Sequence, residues 1–112
     1  MNAPLRGDVW LVDFGDPVGH EQGFRRPAVV VSADRLNSGR AGVVVVVPVT
    51  RTRRSLPSHV ELDEAAGLGE TSYAKGEDIR SVSVERLVHR IGRAPAPALH
   101  RIETVVRFLL DL

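Results

Sequence analysis

Short runs of apolar, mostly β-branched residues fill the first two thirds of the chain and give way to a helical spacing near its C-terminus. Residues 9–14 predict a first strand, which ends at a Gly-Asp-Pro breaker. Residues 28–31 and 42–47 have no polar face, so they predict strands that are buried on both sides. His59–Leu62 alternates between polar and apolar residues, which is typical of a half-exposed strand.

Three further strands are predicted in the second half, at Ser72–Lys75, 77–82 and 87–92. Between the second and third strands, residues 32–39 predict one helical turn with Ser32 as its N-cap and a terminating glycine, Gly39.

The last part of the chain predicts an amphipathic helix that begins after Pro95 and Pro97. Apolar residues recur there at spacings of three and four, namely Leu99, Ile102, Val105, Val106, Leu109 and Leu110. Six or seven short strands followed by one helix indicate a mainly β (α+β) fold, a strongly curved antiparallel barrel or half-barrel with a C-terminal α-helix. The length of 112 residues fits a single domain over 1–112.

Composition narrows the class of protein. Without cysteine, the chain can have neither a disulfide framework nor a thiolate zinc site, and a reducing cytoplasm is the compartment that we expect. Its longest unbroken apolar run, residues 43–49, is far shorter than the roughly 18 residues of a membrane span. We therefore expect a cytoplasmic protein with no membrane partner.

Charge is unevenly distributed although the formal net charge is only +1. Residues 20–54 contain seven arginines and two acids, a local charge of +5, whereas residues 61–85 contain seven acids and two bases, a local charge of −5. Fourteen of the 15 basic residues are arginine, a bias that favours phosphate and base contacts and that a GC-rich genome also produces. The clustering itself indicates a surface that binds a polyanion.

Residues 15–25 form a loop that is long for a compact domain, and this loop leads into the strand at 28–31. It carries Glu21, a candidate proton acceptor, and Arg26 follows it, a candidate for stabilising charge on a phosphate. A weak loop ion pair between these two is the alternative. Arg25 next to them is a candidate phosphate contact or a solvated side chain.

Thr50 follows the buried strand that starts near residue 42, so its hydroxyl is expected at the same end of the sheet as Arg26. A hydroxyl there can donate to a phosphoryl oxygen, although a strand-end threonine chosen for β-propensity is the alternative. Arg51, Arg53 and Arg54 would extend the same basic face.

The four histidines have no metal-ligand spacing, and the chain has no Gly-rich phosphate loop and no GxSxG motif. We expect no metal and no cofactor.

Five segments in register resemble the MazF/PemK toxins of toxin–antitoxin pairs. They are RGDVW at 6–10, GHEQG at 19–23 followed by RPAVVVS at 26–32, VPVT at 47–50, LPSHV at 56–60 and EDIRS at 77–81. The resemblance implies a dimeric, small SH3-like or CcdB-like barrel that cleaves single-stranded RNA sequence-selectively without metal. It also implies inhibition by a cognate antitoxin with an acidic, disordered tail.

Site residues follow from the same resemblance. The family's catalytic arginine, threonine and loop glutamate fall on Arg26, Thr50 and Glu21. RNA contacts are expected at Arg25, Gln22, Arg51, Arg53, Arg54 and Asp78. Where many members have an acid followed by glutamine, this chain has Glu77 and Asp78, which removes an amide that could donate to a base edge.

Two other functions remain open at this point. One is a CcdB-like, non-catalytic toxin that binds DNA gyrase, a function that does not need the set of Glu21, Arg26 and Thr50. The other is an RNA-binding module without cleavage, for which the chain has few aromatic residues, with Trp10 and Phe108 expected in the core.

Overall fold

The computed structural model describes residues 2–16, 18–20 and 23–112. Over these residues the chain forms an antiparallel sheet of seven strands and a long C-terminal helix, α2 (Ala96–Leu110). The strands are β1 (Asp8–Asp13), β2 (Arg25–Val30), β3 (Val43–Thr50), β4 (His59–Leu62), β5 (Ser72–Lys75), β6 (Arg80–Ser83) and β7 (Leu87–Arg93). A short helix, α1 (Asp34–Asn37), connects β2 to β3.

The sheet has the order β4-β5-β3-β2-β1-β7, and β6 also pairs with β3. β3 bends the sheet because it has different partners along its length. Its first half pairs with β6 and its end, Val49 and Thr50, pairs with β5, while β2 lies along the other edge. The result is an open, strongly curved sheet, which confirms the fold class that the sequence predicts.

Apolar clusters on both faces of the sheet explain the unbroken apolar runs of the central strands. One cluster lies under α2 and includes Val9, Val29, Val47, Leu62 and Ile102. The other lies on the opposite face and includes Trp10, Val12, Ala28, Val46 and Leu87. Successive residues of a strand point to opposite faces, so β1, β2 and β3 contribute to both clusters and are buried on both sides, as predicted.

The turn after β4 contacts β7, the strand at the other end of the sheet order. Residues Glu64–Ala66 form a single 3₁₀ turn that packs against β7 at Gly92. A Cβ atom on Gly92 would lie 2.3 Å from the carbonyl oxygen of Ala66, so any larger residue would push the turn away. Glycine therefore permits the close approach of the two backbones here.

The predicted cap of the first helical turn is wrong. α1 begins at Asp34 with Ala33 as its N-cap residue, and no side chain caps it. The Ser32 hydroxyl is used elsewhere, because it accepts from the backbone N–H of Val45 at 2.9 Å and hydrogen-bonds the side chain of Asn37. Tertiary pairing with β3 has replaced the local cap.

Two other expectations need correction. Phe108 is 81% exposed and is not part of the core, whereas Trp10 is buried as expected. The strand predicted at 77–82 begins only at Arg80, because Gly76–Asp78 forms a 3₁₀ turn. Among the described residues, no helix is long and apolar enough to cross a membrane.

Candidate phosphate-binding cleft

A polar cleft of about 650 Å³ lies where the start of β2 and the end of β3 meet β5. Its lining contains four arginines, one lysine, hydroxyl groups and a few apolar side chains. The lining residues are Leu11, Gly19, His20, Arg25, Arg26, Pro27, Val49, Thr50, Arg51, Thr52, Arg54, Leu68, Ser72 and Lys75. We call this space the cleft. Among the described residues of the lining, none is acidic.

Strand register explains why Arg26 and Thr50 share the cleft. β2 and β3 pair antiparallel, with Ala28 opposite Pro48. Continuing this register by two residues brings Arg26 level with Thr50. The sequence predicted that both side chains emerge at the same end of the sheet, and their common place in the cleft agrees with it.

The Thr50 hydroxyl already has one defined partner. Its Oγ1 accepts from the backbone N–H of Thr52 at 3.1 Å. An oxygen that accepts in this way keeps its own proton available for a second group. Thr50 can therefore donate a hydrogen bond to an anion in the cleft.

The arginines of the cleft differ in how they are compensated. Arg51 forms an exposed ion pair with Glu70 at 2.9 Å. Arg25 and Arg26 are exposed, and no acid of the described residues forms an ion pair with either of them. Arg54 lines the cleft, whereas Arg53, its exposed neighbour, is outside the lining.

Lys75 is a cleft residue that the sequence did not indicate. It is only 8% exposed, and its Nζ lies 3.0 Å from Oδ2 of Asp78 and 3.2 Å from the carbonyl oxygen of His20. Asp78, predicted as an RNA contact, is not in the lining and contacts it through this ion pair. The lone lysine among fourteen arginines was the one available signal.

Glu77 points away from the cleft toward the start of β4. It accepts from the Ser58 hydroxyl at 2.8 Å and lies 3.0 Å from Nε2 of His59. Burial raises the pKa of the Glu77 carboxyl, but the hydrogen bonds from Ser58, its own backbone and His59, together with the charge of His59, outweigh burial and leave the pKa below its ordinary value. This carboxylate therefore ties the Gly76–Asp78 turn to β4.

Two of the predicted site residues, Glu21 and Gln22, lie outside the described residues. Their neighbours Gly19 and His20 line the cleft. Within 2–16, 18–20 and 23–112, no group of three or more His, Asp or Glu side chains is arranged to hold a metal ion. The cleft thus offers positive charge, the Thr50 hydroxyl as a donor and apolar side chains that include Leu11 and Pro27, a combination suited to a phosphodiester with its attached bases.

The chain is similar to known proteins over almost its whole length. Residues 5–110 match the model of the PemK-like, MazF-like toxin of type II toxin-antitoxin systems. Endoribonuclease MazF9 of Mycobacterium tuberculosis is 41% identical over 114 residues, with 96% of each chain covered. Endoribonuclease EndoA of Bacillus subtilis is 29% identical over 109 residues and covers 96% of this chain and 94% of its own.

Solved structures give the same result. MazF from Deinococcus radiodurans superposes with a TM-score of 0.86 at 31% identity, and each chain is covered completely. A mycobacterial endoribonuclease in complex with its cognate antitoxin superposes with a TM-score of 0.81 at 28% identity, covering 98% of this chain and 97% of its own. With the family model matching almost the whole length and the fold shared throughout, the chain belongs to the PemK-like, MazF-like toxins of type II toxin–antitoxin systems.

Proposed function

We propose that this toxin is an endoribonuclease that cleaves single-stranded RNA in the cleft without a metal ion. The 2′-OH of a ribose attacks the adjacent phosphorus, and the bond from phosphorus to the 5′-oxygen of the next nucleotide breaks. A base takes the 2′-OH proton and an acid protonates the departing oxygen. The products are a 2′,3′-cyclic phosphate and a 5′-OH end.

Arg26 is assigned to stabilise the negative charge that builds on the phosphoryl oxygens. Its guanidinium stays protonated near neutral pH and has no described acid as a partner, so its charge is available to a phosphate. Thr50 is assigned to position the scissile phosphate through the hydroxyl proton that its contact with Thr52 leaves free. Glu21 is assigned as the general base for the 2′-OH.

One observation carries the proposal, namely the meeting of Arg26 and Thr50 in a cleft whose described lining includes three arginines, Arg25, Arg26 and Arg54, that form no ion pair with a described acid. Arg25, Arg51 and Arg54 in that lining, with Arg53 beside it, are assigned to the RNA backbone. Gln22 is assigned to the bases on the family resemblance alone. Asp78 stays a predicted RNA contact, at a position where many members of the family have glutamine. Binding of DNA gyrase, the CcdB-like alternative, does not need this arrangement.

The test is cleavage of a short single-stranded RNA in excess EDTA, with the ends of the products identified by mass spectrometry. We expect full activity and 2′,3′-cyclic phosphate ends, because the proposed chemistry uses only side chains. Activity that disappears with EDTA and returns with Mg²⁺ would contradict the mechanism. Growth arrest with intact RNA and inhibited gyrase would favour the alternative.

The cognate partner is proposed to be an antitoxin with an acidic, disordered tail. The cations that attract RNA would attract such a tail equally, so inhibition would be competition for the cleft. A mycobacterial endoribonuclease was solved with its cognate antitoxin, which supports this kind of partner. We also propose that the toxin is a homodimer in the cytoplasm, in which two copies of the basic face form one longer groove.

A further inference from the structure

The Gly76–Asp78 turn beside the cleft is held in place by contacts that lie outside the cleft. In the Gly76–Asp78 turn, the backbone N–H of Gly76 donates to the carbonyl oxygen of Ser58 at 2.9 Å. A Cβ on Gly76 would lie 2.7 Å from Val105 of α2, so the turn fits closely under the helix. Glu77 adds its bonds to Ser58 and His59 on β4. The position of Asp78 is therefore fixed by contacts outside the cleft.

Lys75 connects that fixed turn to the cleft wall. Its side chain is 10% exposed and that of Asp78 is 13% exposed, so the 3.0 Å ion pair is shielded from solvent. Lysine buried to this extent is costly unless a carboxylate compensates it. The same ammonium donates to the carbonyl oxygen of His20 at 3.2 Å, and His20 lines the cleft together with Gly19.

Because the ion pair is neutral as a whole, it adds little to the attraction between the cleft and RNA. What it supplies is a fixed donor for the His20 carbonyl, in a loop segment whose preceding residues, Val18 and Gly19, are exposed. We propose that Lys75 is a positioning residue of the ribonuclease site, which uses its ammonium, held by Asp78, to fix the His20 carbonyl and with it one wall of the cleft. This inference rests on the proposed function.

Four variants test whether Lys75 acts by fixing the position of the His20 carbonyl or only through its positive charge. Lys75→Met keeps the aliphatic stem and removes the donor, and Lys75→Met/Asp78→Asn removes the donor while restoring the wild-type net charge. Lys75→Arg keeps both a charge and a donor. Arg101→Met removes one exposed positive charge on α2, outside the cleft, and serves as the matched charge control.

Loss of positioning should lower kcat, because misplacement of about 1 Å at an active site costs up to about a hundredfold in rate. Lys75→Met and the double variant should both show kcat lowered by about tenfold or more. In both, the NMR carbonyl carbon shift of His20 should move. Lys75→Arg should recover part of the lost kcat, and Arg101→Met should have wild-type kcat.

A double variant with wild-type kcat would overturn the inference, since Lys75 would then only balance the charge of Asp78. A raised KM with unchanged kcat in Lys75→Met would overturn it as well. If Lys75→Met has a lower melting temperature than the wild type, the kcat of the double variant decides the test. Replacing both members of a shielded ion pair is tolerated better than removing one.

Arg26→Ala is measured in parallel to separate the two proposals. Full activity of Arg26→Ala contradicts the proposed function, and in that case the His20 carbonyl shift still tests the contact with Lys75. An inactive Arg26→Ala together with Lys75 variants that match wild type contradicts the positioning role alone.

Discussion

Arginines at two places in the sheet have opposite surroundings. On β7, Arg90 Nε and Arg93 Nη1 lie 3.2 and 3.4 Å from the same oxygen of Asp8, a carboxylate that is only 4% exposed. At the start of β2, Arg25 and Arg26 line the cleft, and no acid of the described residues forms an ion pair with them.

The difference separates charge that is compensated within the fold from charge that is available for the proposed binding of RNA. Asp8 also accepts from the backbone N–H of Leu5 and from the indole N–H of Trp10. Together with the two arginines, these donors compensate the burial of the Asp8 carboxylate. Such a group stabilises the fold because removing it leaves donors unsatisfied. Uncompensated cations beside a concave surface raise the local concentration of anions instead.

The largest effect should come from Arg26→Ala, with Arg90→Ala as its matched control. In its proposed role Arg26 supplies about 3 kcal/mol of transition-state stabilisation, so Arg26→Ala should slow cleavage by about a hundredfold or more while the melting temperature stays unchanged. Arg90→Ala removes the same charge and should leave the cleavage rate within about twofold. The assay is the initial rate on a short single-stranded RNA, with melting followed by circular dichroism. Equal cleavage rates for Arg26→Ala and Arg90→Ala would contradict the distinction between the arginines of the cleft and those of β7.

Asp8→Ala should show the reverse pattern. It leaves the donors of Leu5 and Trp10 unsatisfied, which costs about 2 kcal/mol of unfolding free energy. The melting temperature should fall by roughly 8 °C, and the cleavage rate per folded molecule should stay close to that of the wild type. Urea titration gives the first quantity and a rate corrected for the folded fraction gives the second. Stability equal to that of the wild type would show that Asp8 does not hold this edge of the sheet.

Thr50→Val should slow cleavage by a smaller factor, about tenfold, because one hydrogen bond to a charged phosphate is worth about 1.5 kcal/mol. Valine has the shape of threonine and lacks the hydroxyl, whereas Thr50→Ser keeps it and should retain most of the activity. Single-turnover kinetics at saturating RNA measure this step. Equal rates for the valine and serine variants would exclude a role for the hydroxyl.

Glu77→Gln should have the smallest effect, and that effect should depend on pH. Because the pKa of Glu77 is lowered in the folded protein, its ionised form stabilises the fold above the ordinary carboxyl pKa, and this stabilisation is lost as the pH falls through the lowered value. The wild type should therefore be more stable than Glu77→Gln near neutral pH, and the difference should shrink in acid. Urea midpoints at a series of pH values provide the check. A stability difference that grows as the pH falls would mean that folding raises the pKa of Glu77 and does not lower it.

Several elements could be predicted because local pattern and tertiary environment agree. The unbroken apolar runs of β2 and β3 required burial on both faces, and the two apolar clusters provide it. The spacing of Ile102 and its neighbours predicted α2. At Ser32 the local pattern and the tertiary environment disagree, since a hydroxyl suited to a local helix cap accepts a hydrogen bond from the backbone of β3 instead. Phe108 is not among the positions of that apolar spacing, and its side chain near the end of α2 is exposed.

The sequence by itself determined the class of fold, the family and the two groups, Arg26 and Thr50, that share the cleft. It could do so because each group lies at the end of a strand whose direction and burial follow from the apolar pattern. Only the tertiary structure decided that β5 lies beside the end of β3, which brings Lys75 into the lining and makes Asp78, predicted as an RNA contact, its ion-pair partner. Strand neighbours this far apart in sequence are selected by the packing of the whole sheet, and no local signal along the chain encodes that choice.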